Sequence, residues 1–290
     1  MKIAVHFHLY YQTQLPEMLK LLTNLNQPGI NWDLYVTLPL TDSLTDAQAK
    51  AISNRILSIF PNAKITHPEN RGYDVGAFID FLHHINLDEY DYVLKVHTKN
   101  QNKRNQTILN GNKLDNALWR KILLDALLIT KKQIHKNLAL LSKNPQIGML
   151  GAKYCLTNEK HAYQELLPEI NAVLSQMSLP PVTKVTFVAG TMFLCKASLL
   201  KPLRTLSIAD FSPTNGKVRD KTLAHVIERA FGAIIEQQNY QLRGIPQNHY
   251  AIKFLIKRYT RFFYQKKHTK SGKTIIKICK LPVYSQRSAA

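Results

Sequence analysis

The chain between residues 63 and 99 reads AKITHPENRGYDVGAFIDFLHHINLDEYDYVLKVHTK and combines two predicted strands with one predicted helix. Ala63–His67 and Tyr92–Val96 are short apolar runs that are typical of buried strands. Asn70-Arg71-Gly72 predicts a turn, and Val75–Ile85 has the spacing of a helix. A helix that connects two buried strands is typical of a parallel sheet.

The same alternation continues on both sides of this stretch. The sequence predicts further strands at Lys2–Leu9, Trp32–Leu38, Ile147–Leu150 and Thr186–Leu194, and further helices over residues 17–25, Thr45–Phe60, from about Leu118, and over Lys221–Glu236. A polar segment, Thr98–Asn116, is predicted to be a long loop without secondary structure. The predicted fold class is α/β, with a mostly parallel sheet flanked by helices on both faces.

The composition narrows the range of protein classes and partners. The chain has 290 residues, of which 45% are hydrophobic, and this is ordinary for a protein with a real core. These figures exclude collagen-like, disordered and disulfide-rich chains. Lys and Arg number 39 against 19 Asp and Glu, so the formal net charge is +20. Such a charge predicts anionic partners: phosphate-bearing molecules, nucleic acid or an acidic membrane surface.

Cysteine usage and hydropathy predict a cytoplasmic chain that does not span a membrane. The three cysteines, Cys155, Cys195 and Cys279, are odd in number and lack metal-site spacing, so free thiols in a reducing compartment are the simplest explanation. The N-terminal residues lack the long apolar run of a signal peptide. No stretch approaches the roughly 18 uninterrupted apolar residues of a spanning helix.

The charge is concentrated in the last forty residues. Residues 251–290 contain eleven Lys or Arg and no Asp or Glu, and the remaining chain carries 28 basic and 19 acidic residues. Apolar residues recur at helical spacing along 252–263, namely Ile252, Leu255, Ile256, Tyr259 and Phe263. We therefore divide the chain into a domain at 1–250 and a basic amphipathic C-terminal segment at 251–290. An amphipathic basic helix can lie on an anionic bilayer, and a solvated tail is the alternative.

Two motifs follow predicted strands, at the edge where parallel sheets bind ligands. The first is Asn70–Phe78 (NRGYDVGAF). In this motif Arg71 offers a guanidinium fork for phosphate or carboxylate, and Asp74 is suited to cap the next helix. Asn70 and Gly72 suit a tight turn, so turn-and-cap chemistry alone is an alternative.

The second motif, at the end of the fourth strand, is Lys95-Val96-His97-Thr98-Lys99. His97 and Lys99 project from the same side of an extended chain. Enzymes that use sugar nucleotides often place two carboxylates here to hold a metal against the diphosphate. An imidazole and an ammonium cannot form that metal site, but they could neutralise a diphosphate directly. A solvent-exposed pair at the strand end is the alternative.

Two later segments carry further candidates. In Phe187–Phe193 (FVAGTMF), Gly190 permits close approach of the backbone to a sugar or to another element of the fold. On the late helix, His225 and Glu228 share a face, and Arg229 lies one turn from His225. An imidazole beside a carboxylate could supply a general base, and a surface ion-pair face is the alternative.

The ordered set of motifs resembles the rhamnan synthesis protein F family, a group of bacterial glycosyltransferases of cell-wall and lipopolysaccharide polysaccharide assembly. The resemblance extends from about Lys2 to Phe231. Six motifs carry it: NRGYDVGAF (70–78), YDYVLKVHTKN (90–100), WRKILL (119–124), IGMLG (147–151), FVAGTMF (187–193) and AHVIERAF (224–231).

The resemblance implies a GT-A-like fold and the transfer of rhamnose or another hexose from a nucleotide-sugar donor to a growing surface glycan (lipopolysaccharide, O-antigen or capsule). By position, Glu228 is the expected base, with His225 beside it and Asp220 and Asp74 as competitors. The expected donor-binding residues are Asn70, Arg71, Gly72, Asp74, His97, Lys99, Gly190 and Arg229. An inverting transfer would need such a base and positive partners for the departing diphosphate.

The expected cofactor is the nucleotide-sugar donor. A divalent metal is left open as an alternative, although the chain lacks a two-carboxylate motif that would support it. The expected acceptor is a lipid-linked or free oligosaccharide, and the expected location is the inner face of the cytoplasmic membrane, as a peripheral protein. Two alternatives stay open: a basic nucleic-acid-binding protein, and a non-catalytic subunit of a glycan-assembly complex. The first lacks a recognisable nucleic-acid-binding motif, so nucleic acid is not an expected partner.

Overall fold

A computed structural model describes residues 1–41, 44–102, 104, 106–214, 221–268, 273–279 and 281–287. The chain divides into two compact units, Met1–Pro246 and Gln247–Ala290. This division falls four residues before the boundary that the sequence predicts, and that boundary remains a prediction.

The first unit is built on a seven-stranded sheet. Its strands lie in the order β11-β7-β10-β4-β1-β2-β3. All neighbouring pairs are parallel except those of β10, which runs antiparallel to β4 and β7. The strands of this unit are β1 (Lys2–His8), β2 (Asn31–Thr37), β3 (Lys64–Thr66), β4 (Tyr92–His97), β5 (Gln106–Leu109), β6 (Asn112–Asp115), β7 (Ile147–Ala152), β8 (Leu156–Thr157), β9 (Phe187–Val188), β10 (Phe193–Lys196) and β11 (Gln241–Ile245).

Helices flank this sheet, which confirms the predicted α/β class. Several begin at residues whose side chains cap them: Thr45 forms a capping box with Gln48, and Asp115 and Thr130 accept hydrogen bonds from the first turns that follow. The helices of the first unit are α1 (Leu15–Leu22), α2 (Asp46–Leu57), α3 (Tyr73–His83), α4 (Asn116–Leu128), α5 (Lys131–Lys143), α6 (Leu167–Gln176) and α7 (Leu223–Glu236).

The predicted loop at Thr98–Asn116 is partly wrong, because it contains the hairpin of β5 and β6. The turn of this hairpin is Asn110-Gly111, with φ values of 49° and 72°. An Asn-Gly pair favours such a turn because both residues tolerate positive φ. Helices α5 and α6 and strand β11 were not predicted from the sequence.

The predicted strand at Thr186–Leu194 is also corrected, because the chain turns at Gly190-Thr191 and divides it into β9 and β10. The backbone φ is 93° at Gly190 and 51° at Thr191. The turn sends β10 back antiparallel to β4, with Phe193 opposite Lys95. Because β10 runs antiparallel to β4, it begins beside the end of β4. The turn that precedes β10 therefore lies at the carboxyl end of β4.

An aromatic cluster packs α3 and α7 against the sheet. Phe78 contacts Phe81, Phe193 and Phe231 with ring centroids 5.7–5.8 Å apart. Phe7 and Phe78 have no exposed surface. This aromatic packing fixes the sheet edge on which the candidate residues lie.

Cys155 and Cys195 are buried, Cys279 is exposed, and all three are free.

The second unit contains α8 (Asn248–Phe263) and a three-stranded antiparallel sheet of β12 (Tyr264–His268), β13 (Lys273–Ile278) and β14 (Leu281–Arg287). Helix α8 includes the predicted helix over 252–263, and the sheet was not predicted. Ile252, Leu255, Ile256 and Phe263 are each more than half exposed. Within the described residues, no helix combines the length and the apolar character that a membrane crossing requires.

Candidate active site

The structure brings the four candidate segments together at the carboxyl edge of the sheet. Lys95, two residues before His97, contacts Asp74 of the first segment. The His97 ring contacts the carbonyl oxygen of Gly190, and the Gly190 N–H donates to Glu228 of the late helix. The Tyr73 and His225 rings, with centroids 6.0 Å apart, link the first and fourth segments. The four segments therefore form one continuous set of contacts.

At the centre of these contacts is an ion pair between the buried Lys95 and the partly buried Asp74. Lys95 Nζ donates to Asp74 Oδ2 at 2.5 Å, and to the carbonyl oxygen and Oγ1 of Thr191 at 3.0 Å each. Thr191 Oγ1 also donates to Asp74 Oδ2 at 2.5 Å. Lys95 has no exposed surface, so its ammonium depends on these three acceptors for the hydrogen bonds that water would supply.

The pKa values in this cluster reflect burial and charge together. Burial alone would raise the pKa of Asp74, but the nearby His97 and Lys95, with hydrogen bonds from Lys95 and Thr191, hold it well below its usual range. Burial lowers the pKa of Lys95, and the attraction of Asp74 opposes that effect. Asp74 is therefore ionised near neutral pH, and the three acceptors around Lys95 Nζ fit an ammonium.

The pairing of β1 and β4 places four basic side chains on the same face. His6 lies opposite Lys95, and His8 lies opposite His97. Residues two apart on a strand face the same side, so all four line the face that also receives Asp74. Burial lowers the pKa of His8 to about 3, and it lowers the pKa of His6 well below the usual value. Both rings are therefore neutral at pH 7 and bind Thr37 Oγ1 at 3.0–3.1 Å.

His97 lies inside the protein rather than in a solvent-exposed position at the strand end. Only 3% of its surface is exposed. Its Nδ1 lies 2.9 Å from the Thr98 carbonyl oxygen and its Nε2 lies 2.9 Å from the Gly190 carbonyl oxygen. Burial lowers its pKa, with Asp74 acting in the opposite direction. The imidazole holds the Gly190 turn against β4, and direct contact with a diphosphate would require it to give up one of these partners.

Lys99 is the part of this motif that reaches solvent. Its Nζ lies 4.0 Å from the centroid of the Trp119 ring, and its side chain is only partly buried. Gln14 binds both backbone groups of Lys99, at 2.7 Å to the carbonyl oxygen and 3.2 Å from the N–H. Trp119 Nε1 donates to the Ala189 carbonyl oxygen at 3.2 Å. The Lys99 ammonium thus lies beside the Gly190 turn, on a backbone that is fixed in place.

The Asn70–Gly72 turn packs against residues 211–214. Asn70 Nδ2 donates to the Thr214 carbonyl oxygen, and Arg71 Nη1 donates to the Phe211 carbonyl oxygen, at 3.0 and 2.9 Å. Gly72 has φ 61°, and a Cβ there would lie 2.4 Å from the Phe211 ring. Gly72 itself is the N-cap of α3, so the predicted capping role of Asp74 is wrong: its carboxylate faces Lys95 and Thr191.

On α7, His225 and Glu228 form hydrogen bonds with different groups. Glu228 Oε1 accepts from the Gly190 N–H at 2.7 Å, and Oε2 pairs with Arg229 Nη1 at 2.8 Å. His225 Nδ1 lies 2.9 Å from Thr222 Oγ1. Arg229 Nε also donates to the Ala162 carbonyl oxygen at 2.9 Å. Glu228 is thus oriented by a backbone N–H and a guanidinium, while the third candidate, Asp220, lies outside the described residues.

Sequence reasoning missed Lys95, Thr191 and His8. The two-residue periodicity of β4 already placed Lys95 on the face of His97, which was a usable signal. Thr191 gave no such signal, because its role depends on a positive φ at a non-glycine residue.

Among the described residues, the donor set at this edge does not fit a divalent cation. Mg²⁺ and Mn²⁺ prefer carboxylate oxygens, and Asp74, the carboxylate that these strands receive, is already bound by Lys95 and Thr191. In the part of the chain that the structure describes, no group of three or more His, Cys, Asp or Glu side chains is arranged to hold a metal ion.

Known proteins share parts of this sequence and fold. The chain is 26% identical over 257 residues to the uncharacterized protein WxcX of Xanthomonas campestris pv. campestris strain B100, covering 84% of this chain and 33% of that one. The WxcX of strain ATCC 33913 gives the same figures. The chain thus spans about a third of the length of the curated relatives that it matches.

Among solved structures, the mannosyltransferase PcManGT from Pyrobaculum calidifontis, in complex with GDP-Man and Mn²⁺, is similar with a TM-score of 0.40 and 13% identity, over 85% of this chain and 55% of that one. Residues 1–349 of S. aureus TarS give a TM-score of 0.39 and 13% identity, over 90% of this chain and 66% of that one.

The chain also matches a protein family. The sequence pattern of rhamnan synthesis protein F matches residues 1–240, a span that contains all four candidate segments and six of the seven strands of the sheet. The resemblance inferred from the six motifs is confirmed: the chain belongs to the rhamnan synthesis protein F family.

Proposed function

We propose that this chain is a glycosyltransferase with a GT-A-like fold, which moves rhamnose or another hexose from a nucleotide-sugar donor to a growing surface glycan. Membership of the rhamnan synthesis protein F family supports a role in polysaccharide synthesis. The proposal rests on one observation: the four candidate segments meet at the carboxyl edge of the sheet, where α/β proteins bind their ligands.

The donor diphosphate lies, in this proposal, beside Lys99. The Lys99 ammonium reaches solvent at this edge, and Lys95 and His97 lie buried behind it. The field of these groups would stabilise the negative charge that grows on the departing diphosphate. Arg71 lies on the neighbouring turn with its guanidinium partly exposed, which makes it a second candidate partner.

The acceptor hydroxyl is activated, in this proposal, by Glu228. In an inverting transfer the acceptor oxygen forms a bond to the anomeric carbon as its proton passes to the carboxylate. The bond between that carbon and the diphosphate oxygen breaks, and its electron pair leaves with the diphosphate. Each Glu228 oxygen accepts one hydrogen bond, so each retains a lone pair for the proton. His225 on the same helix is the alternative base. Asp74 is less suited to the role, because His97 and Lys95 hold its pKa well below the usual range and so make it a weak base.

Membrane association is proposed for the second unit. Helix α8 exposes Ile252, Leu255, Ile256 and Phe263, which recur at helical spacing, and residues 251–290 carry eleven basic and no acidic residues. Exposed apolar side chains among basic residues fit the surface of an anionic bilayer. The protein would thereby be held peripherally at the inner face of the cytoplasmic membrane, next to a lipid-linked acceptor.

A binding screen tests the proposed function directly. We expect one of the dTDP-, UDP- or GDP-sugars to raise the melting temperature of the full chain, because a ligand of the native state stabilises it. Lys99→Met should reduce this shift. Lys121→Met, which removes an exposed lysine paired with Asp125 on α4, should leave it unchanged. If no sugar nucleotide binds, or if both variants behave alike, the proposed donor site is wrong.

A further inference from the structure

A small cavity lies at the start of α7, beside the proposed active site. Its volume is about 140 Å³, and it is bounded by the short turns at residues 160–166 and by the first turns of α7. Sites for whole drug-sized ligands occupy about 300–1,000 Å³, whereas one water takes about 30 Å³. The cavity can therefore hold one compact group of a larger molecule. Its polar lining consists of His161, Tyr163, Glu165, Lys221, His225 and Arg229.

The charge of the lining favours an anion. Lys221 and Arg229 are cations, His161 and His225 can donate hydrogen bonds, and Glu165 is the one acidic residue of the lining. Lys221 Nζ and Glu165 Oε2 form an ion pair at 2.8 Å, with side chains that are 65% and 75% exposed. Such an exposed pair contributes little stability, so a ligand oxyanion can take the place of Glu165 at small cost.

Arg229 forms a fixed part of the wall. It donates to the carbonyl oxygens of Ala162 and His225 and to Glu228 Oε2, and its guanidinium carbon lies 5.2 Å from the Phe187 ring centroid. Its side chain is only 18% exposed. A guanidinium held in this way loses little conformational entropy when it binds an oxyanion.

Glu228 connects this cavity with the sheet edge. One of its carboxylate oxygens accepts from the Gly190 N–H, and Gly190 in turn contacts His97. Its other oxygen pairs with Arg229 of the cavity wall. A molecule with one group in the cavity would therefore lie next to the proposed base, as an acceptor must.

We infer that this cavity binds an oxyanion of the acceptor, either a phosphate or a sugar carboxylate, and that it holds the acceptor beside Glu228. The inference rests on the proposed function, because it assigns the acceptor to one side of the proposed base. It adds a substrate class, since the acceptor must carry negative charge close to the hydroxyl that receives the sugar.

The test measures binding of three small probes to the full chain by calorimetry: a hexose 1-phosphate, a hexuronic acid and a neutral methyl hexoside. We expect one or both anionic probes to bind and the neutral probe to bind more weakly. Binding of the phosphate alone identifies a phosphorylated acceptor, binding of the uronic acid alone identifies an acidic sugar, and binding of both establishes a general oxyanion site. Equal binding of all three probes overturns the inference.

Three variants locate the site. Lys221→Met should weaken anion binding about tenfold, the loss expected for one charge-assisted hydrogen bond. Glu165→Gln should tighten anion binding, because it removes the carboxylate that competes for Lys221. Tighter binding cannot result from a loss of protein stability, so this variant distinguishes a role in binding from a structural one. Lys201→Met is the matched control: it removes an exposed ion pair with Asp88, which precedes β4 at the opposite edge of the sheet. If the Lys221 and Glu165 variants bind like the control, the cavity is not the site.

The same measurements separate this inference from the proposed function. Saturation with the sugar nucleotide that binds in the donor screen should leave anion binding intact, whereas competition would show that the anion occupies the donor site and would overturn the inference. Anion binding without any binding of sugar nucleotides would contradict the proposed function and leave the cavity assignment standing.

Discussion

Lys95 donates a 2.5 Å hydrogen bond to Asp74 from a side chain that has no exposed surface. The pair joins β4 to the first turn of α3, and Thr191 adds the turn before β10. Three elements that are distant in sequence thus depend on one buried ammonium. A fully buried charge is tolerated only when its partners replace water, so this contact is central to the stability of the site.

Replacement of Lys95 by Met should destabilise the protein by about 3 kcal/mol, because Asp74 would be left as a partly buried carboxylate without its cation. Urea unfolding followed by circular dichroism measures the loss. Lys95→Met combined with Asp74→Asn should recover part of it, since no unpaired charge remains. A stability of Lys95→Met equal to that of the parent would mean that the ion pair is not maintained in solution.

Stability should decrease as the pH falls below about 6.5. The pKa of His8 is lowered by burial to about 3, so between these values the unfolded chain binds a proton that the folded chain does not. Lowering the pH from 7 to 4.5 should therefore reduce the free energy of unfolding by about 2.5 kcal/mol through His8. Asp74 acts at lower pH: its contribution is present above the unfolded pKa of about 4 and is lost as the pH falls toward its lower folded value.

Substitution of His8 by Asn tests the first of these effects. Asparagine can bind Thr37 but does not titrate, so unfolding free energies at pH 7 and pH 4.5 should differ less in this variant. His135→Asn on the exposed face of α5 is the control and should retain the full difference. An unchanged pH dependence in His8→Asn would show that His8 is not held neutral.

Glu228→Gln should keep donor binding and lower turnover by about 10²–10⁴-fold, the usual contribution of a general base. The amide can still bind the Gly190 N–H through its carbonyl oxygen but cannot accept the acceptor proton. Transfer from the sugar nucleotide identified by the screen measures the effect, with Glu169→Gln on the exposed part of α6 as the control. Near-normal turnover would exclude Glu228, and a loss confined to His225→Ala would assign the role to that imidazole.

Sugar transfer should persist in excess EDTA. The carboxylate of Asp74, which faces the ends of the strands, is bound by Lys95 and Thr191. The cation that reaches solvent beside it is Lys99. These positive side chains would provide the charge neutralisation that a metal supplies in other enzymes. Complete loss of transfer in EDTA with recovery in Mn²⁺ or Mg²⁺ would contradict this arrangement.

The exposed apolar face of α8 should govern binding to anionic vesicles. Ile252→Asp combined with Ile256→Asp should lower the fraction bound about tenfold or more, since both apolar burial and charge attraction are reduced. Ile108→Asp makes the same change at an equally exposed isoleucine of β5 and should have no effect. Sedimentation with anionic and zwitterionic vesicles distinguishes the outcomes, and equal loss in all variants would exclude α8 as the binding surface.

Much of the architecture follows from local sequence. The apolar run Tyr92–Val96 corresponds to β4, and the periodicity at 75–85 corresponds to α3, which begins two residues earlier. The hairpin at β5 and β6 was predictable as well, because Asn110-Gly111 is a characteristic turn. The division of the predicted strand at Thr186–Leu194 was not, since the reversal depends on contacts of Thr191 with Lys95.

By itself, the sequence determined the α/β class, the family and the four segments that meet at the sheet edge, because strand and helix periodicity and motif order are local properties of the chain. Only the tertiary structure decided what these segments do. It buried His97 between two carbonyl oxygens, made Lys95 the partner of Asp74, and turned Glu228 toward Gly190 and Arg229. The physical reason is that burial and ion pairing are set by residues far apart in the chain, such as Asp74 and Thr191, which are 117 positions apart, and no local pattern contains these contacts.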